Sequence, residues 1–144
     1  MGIHELSATL WRERAALELL LRGLAQATVR LSSSDPGEAR ASVDEVRASI
    51  DDLKSMTLLR IVDTAATADE WGAPERCPLA ELEVYAPSGP WSAILAAHRE
   101  AIDDLARENV RLQDHIRHPV EDAGLEPLAP CWPAWATTGT APAG

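Results

Sequence analysis

The sequence predicts an all-α chain: an elongated antiparallel helical bundle or coiled coil of three long helices plus one short helix, with an irregular C-terminal tail. Three observations carry this. Apolar residues recur at helical spacing through most of residues 3–118. Pro and Gly stand where one helical pattern stops and the next begins. Apolar residues make up 46% of the 144-residue chain, yet Ala and Leu dominate them and Phe is absent, a balance that favours helix packing over a sandwich or barrel.

The first helix runs from about Ile3 to Leu31. With Ile3 at heptad position a, Leu10, Leu17, Leu24 and Leu31 repeat at a, and Leu6, Leu20 and Ala27 fall at d. That register marks a coiled-coil-like seam on a helix roughly 43 Å long. Glu13 is the one intruder at d, and Trp11 sits beside the seam.

Ser32, Ser33 and Ser34 end it, and Asp35-Pro36-Gly37-Glu38 starts the second helix: Asp35 suits an N-cap, Pro36 the first turn, and Glu38 stands three residues on. Its stripe reads Val43, Val46, Ile50, Leu53, Thr57, Ile61, Thr64 or Ala65, Ala68 and Trp71, with a stop at Gly72 and Pro74.

Pro78 opens a short helix, Leu79 to Ala86, whose Leu79, Leu82 and Tyr85 should dock across the ends of the long helices, since so short a helix does not stand alone. The last long helix starts after Ser88-Gly89-Pro90. Trp91, Ile94, Leu95, His98, Ile102, Leu105, Asn109, Leu112 and Ile116 form its stripe, and it should end by His118, before Pro119. The chain thus divides into a bundle domain over 1–118 and a Pro/Ala/Gly-rich tail over 119–144, expected to be flexible yet carrying Leu125, Leu128, Trp132 and Trp135.

The formal net charge of −10 and the lack of any Lys/Arg cluster point away from nucleic acid and anionic membranes. No apolar run nears the roughly 20 residues that span a bilayer, and nothing at the N-terminus reads as a signal peptide. Cys77 and Cys131 form no pair motif, so a cytoplasmic chain with free thiols is expected.

Catalytic and metal patterns are missing. His115 and His118, with Asp114 and Glu121 nearby, read best as a solvated helix end. His98 falls on an apolar stripe with no nucleophile placed to use it. Glu-x-x-His, His-Glu-x-x-His, Cys-x-x-Cys and phosphate-loop patterns do not occur. The expectation is a protein that is not an enzyme and takes no cofactor or metal. Asn109, between Leu105 and Leu112, either fixes register or marks a wet edge of the stripe.

The stretch HELSATLWRERAALELLL (4–21), with its Leu-Trp-Arg-Glu-Arg, and APSGPWSAILAAHREAIDDLARENVRL (86–112), with Pro-Trp, a His-Arg pair and an Ala-Arg-x-Asn run, resemble actinobacterial FlgN-type proteins, the flagellar type III export chaperones. The resemblance covers roughly residues 4 to 118. It implies a helical protein that binds the C-terminal segments of hook–filament junction proteins, keeps them soluble and delivers them to the export machinery. Binding in the family is placed in the C-terminal part, where this chain departs from the pattern: Pro119, Gly124, Pro127 and Pro130 break a helix that usually runs further.

The residues suggest how a partner would bind. An amphipathic helix of the partner would lie on Ile102, Leu105, Asn109, Leu112 and Ile116, with Trp132 and Trp135 closing over it, the tail either shielding the stripe in the free protein or clamping the partner; Leu105 and Leu112 read equally well as plain core. The competing reading is a self-associating coiled-coil scaffold, for which the heptads of the first helix serve equally well; a homo-oligomer fits either. An enzyme or metal protein built on His98 or the His115/His118 pair comes third.

Overall fold

The structure, a computed structural model, describes residues 2–130 and Thr138. The regular elements among the described residues are all helices, and no strand occurs among them. α1 spans Ile3–Leu31, α2 Pro36–Trp71, α3 Leu79–Leu82 with a single 3₁₀ turn over Glu83–Tyr85, and α4 Trp91–Asp122.

The heptad positions of α1 are where the core forms. Leu6, Leu10, Leu17, Leu20, Leu24 and Ala27 are all fully buried, and each buried leucine contributes about 1.5–3 kcal/mol. The turn into α2 is built by Asp35, whose carboxylate accepts from the Gly37 and Glu38 amides at 2.9 and 3.3 Å. That satisfies two of the four N–H groups a helix start leaves without partners. Glu38 does not reach back to the cap; its carboxylate faces Arg30 across the turn at 3.5 Å. Contacts between α1 and α2 step down α2 as they climb α1: Thr9 bonds Asp63 at 2.6 Å, Glu13 pairs with Arg60, and the Gly23 backbone faces Val46. α2 stops where Gly72 takes φ +70°, a conformation that only glycine adopts cheaply, and the Ala73 amide returns to the Ala68 carbonyl at 2.8 Å.

The α2 stripe departs from expectation at one place. Arg60 and Thr67 face inward beside the expected Thr57 and Thr64, while Ile61 is exposed. A stripe chosen for apolarity picks Ile61; the helix turns Arg60 in because Glu13 waits there as its counterion.

α3 buries Leu79 and Leu82 completely, and Arg99 of α4 grips Glu83 at 2.5 Å. Tyr85, expected to dock, is exposed instead, because the docked part ends within one helical turn and Tyr85 lies beyond it.

α4 lies along α1 in rising order: Trp91 stacks edge-on to His4, His98 to Trp11, and Asn109 bonds the Leu17 carbonyl. It does not end by His118. Pro119 sits inside the helix, which continues to Asp122. Proline removes one backbone hydrogen bond there, but Val120 is buried in the core and holds the last turn down. Gly124 at φ +72° then closes it, with Leu125 N–H returning to the Val120 carbonyl at 3.1 Å.

α1 packs against both α2 and α4, whereas α2 and α4 make little direct contact with each other. Residues 125–130 lie across the space between those two helices and bond to both.

Candidate functional site

The stripe expected to receive a partner is part of the core. Ile102, Asn109 and Ile116 are fully buried, and Leu105 and Leu112 are half-buried against the same cluster. In this structure α4 presents these positions to the core it shares with α1 rather than as an open face. Asn109 shows why the fit is close. Its Nδ2 donates to the Leu17 carbonyl of α1 at 3.1 Å and to the Leu105 carbonyl of its own helix at 2.8 Å. It bridges the two helices and lies at no wet edge. Trp132 and Trp135, the expected lid, lie outside the described residues.

The groove between α2 and α4 is the surface that sequence reasoning missed. Residues 125–130, which are not helical, occupy one end of it. From the α2 side, Arg47 donates to the carbonyls of Glu126 at 2.5 Å and Pro127 at 3.4 Å. From the α4 side, Gln113 donates to the Ala129 carbonyl at 2.5 Å. Leu125 and Leu128 are half-buried against the core. Beside them, between α4 and the segment itself, is a cavity of about 270 Å³ with a mixed lining in which Val110, Val120 and Leu128 meet Gln113, Asp114 and Arg117. Further along α4, Thr138 is buried, its hydroxyl donating to Asp103 and its carbonyl accepting from the Ala80 amide of α3 at 2.7 Å. The i, i+3 spacing of Leu125 and Leu128 was the signal for this docking in the sequence.

The floor of the bundle below carries charge. Glu13 is fully buried, with Arg60 Nε at 2.7 Å and the Thr57 hydroxyl at 3.4 Å. Burial pushes the Glu13 carboxyl up, and the Arg60 guanidinium pulls it back. Asp103 is buried too. Desolvation raises its carboxyl, against the Thr138 hydroxyl and the charges of Arg99, Arg107 and Arg60. An acid on α1 and an acid on α4 thus share one arginine of α2.

His98 is buried against the Trp11 ring at 4.8 Å, with Arg14 Nη1 3.3 Å from its Nδ1 and the Arg14 guanidinium over Trp11. Burial, then the neighbouring guanidinium, holds His98 below its ordinary pKa of 6.5, so it packs as a neutral ring. His118 is exposed and 3.6 Å from Glu121, and His115 is exposed as well. Among the described residues no three His, Cys, Asp or Glu side chains gather as a metal site, and no helix is long and apolar enough to cross a membrane. Cys77 is buried, and desolvation raises its thiol; Cys131 lies outside the described residues.

No family model, no curated protein and no solved structure matches the chain.

Proposed function

We propose that the chain is a cytoplasmic export chaperone of the FlgN type. In this reading it binds the C-terminal segments of flagellar hook–filament junction proteins, keeps them soluble and passes them to the type III export machinery. Its body is an elongated antiparallel bundle of three long helices clipped by a short one, and it works by binding alone. The observation that carries the reading is the α2–α4 groove, in which irregular polypeptide is held by side-chain donors from both helices and by leucine contacts. The Leu-Trp-Arg-Glu-Arg and Pro-Trp segments support the same family. Trp11 and Arg14 of the first hold His98 of the second, so the two segments that carry the resemblance form one contact.

A second reading rests on its own observation. Leu58, Ile61 and Val62 are exposed on the outer face of α2, an apolar surface that a second copy of the chain would cover in a self-associating scaffold. Light scattering on the chain with and without a junction-protein C-terminal fragment separates the two. A chaperone forms a mixed complex of defined mass. A homo-oligomer whose mass ignores the fragment would overturn the export reading and favour the scaffold.

A further inference from the structure

We propose that the α2–α4 groove recognises an extended, proline-containing segment of a partner polypeptide, and that the chain's own residues 125–130 and Thr138 are its resident competitor. The inference rests on the polypeptide-binding reading above and changes the form of the ligand, from an amphipathic helix to an irregular strand of chain.

Three features of the groove dictate that form. The hydrogen bonds offered by Arg47, Gln113 and the Ala80 amide all go to main-chain carbonyls, those of Glu126, Pro127, Ala129 and Thr138. Inside a helix those carbonyls would be engaged by the helix itself, so donors placed this way select non-helical chain. Pro127 and Pro130 are exposed but line the cavity between the segment and α4, so proline suits the site by its shape and its fixed φ. Carbonyl contacts are common to any polypeptide, which makes the site replaceable. Selectivity then falls to the half-buried Leu125 and Leu128, spaced by three, and to a hydroxyl on Asp103. The predicted partner segment has proline, two aliphatic residues about three apart, and a Ser or Thr further on.

Competition follows from tethering. Residue 125 comes directly after the Gly124 cap of α4, and a short tether holds its segment at an effective concentration on the order of millimolar. A peptide of equal intrinsic affinity, added in trans below that concentration, is outcompeted.

The test uses the full chain and a synthetic peptide of residues 125–144. In a Leu125→Ser/Leu128→Ser variant the tethered segment should leave the groove. The Ala80 amide should then lose hydrogen-exchange protection, because its acceptor is the Thr138 carbonyl. In NMR titrations the peptide should bind this variant at least about tenfold more tightly than the wild-type chain, shifting Arg47, Gln113 and Ala80. Adding Arg47→Ala and Gln113→Ala should weaken that binding about tenfold or more. Should the serine variant lose its helix signal, Arg47→Ala/Gln113→Ala in the otherwise unchanged chain is the second test, and its Ala80 amide must lose protection. Equal peptide binding by wild type and folded variant, no binding by the folded variant, or an Ala80 amide that stays protected would overturn the proposal. None of these results depends on a junction protein, so this inference can fail while the export reading stands.

Discussion

Replacing Arg60 with Met should be among the most damaging single changes in the bundle. Arg60 is 2% exposed, its Nε lies 2.7 Å from the Glu13 carboxylate, and its charge also reaches Asp103. Methionine retains much of the aliphatic stem and removes the charge. Glu13 then loses its counterion, and Asp103 loses the weakest of the three arginine charges that face it. Removing one partner of a buried pair costs about 3–5 kcal/mol. With a urea slope of about 2 kcal/mol per M, the unfolding midpoint should drop by about 2 M. The double variant Glu13→Leu/Arg60→Met takes both charges out of the core and should be more stable than Arg60→Met alone, within about 1 kcal/mol of wild type or above it. The pH dependence has a definite sign. Burial already raises both carboxyls in the folded chain, and loss of Arg60 raises them further. A folded-state pKa above the unfolded one favours folding at low pH and loses that contribution as pH rises. The Arg60→Met defect should therefore be largest near neutrality and shrink toward pH 4.5. Urea unfolding followed by circular dichroism at both pH values measures it. A cost under about 1 kcal/mol, or a defect that grows on acidification, would refute the reasoning.

Other consequences are as definite. His98 is held below 6.5 by burial and Arg14, so the folded chain resists its protonation; stability should be level above about pH 7 and fall as pH drops through 6.5, and His98→Leu should flatten the urea midpoints across that window. Gly72→Ala forces a Cβ into φ +70° with nothing nearby to clash, so the penalty is conformational alone, about 1 kcal/mol by thermal melting. Leu112→Asp/Ile116→Asp places a carboxylate where Ile116 is fully buried; circular dichroism should show loss of fold, not the folded, binding-deficient protein that an open stripe predicts.

Much of this fold was legible because the signals were local. The heptads of α1, the Asp35-Pro36 start and the Gly72 stop each act within a few residues, and each stands where the pattern puts it. The misreadings share a cause: the deciding partner is distant in sequence. Glu13 looks like a flaw until Arg60, 47 residues on, turns inward to meet it. Ile61 looks like core for the same reason. Pro119 reads as a stop, but the burial of Val120 outweighs one lost backbone bond. The α4 stripe read as a binding face because a single helix pattern cannot say what covers it, and α1 does. The docked segment left only the Leu125–Leu128 spacing as a trace, because its other contacts run from Arg47 and Gln113 to its main-chain carbonyls, and no residue pattern marks a carbonyl.

The most direct test of the account is a calorimetric titration of a hook–filament junction protein C-terminal fragment into the full chain, run in parallel with Leu125→Ser/Leu128→Ser. The account predicts saturable binding, tightened threefold or more in the variant, because the resident segment no longer competes while Arg47 and Gln113 stay in place for its replacement. An absence of saturable heat at fragment concentrations near 1 mM, the tether's own effective concentration, would contradict it.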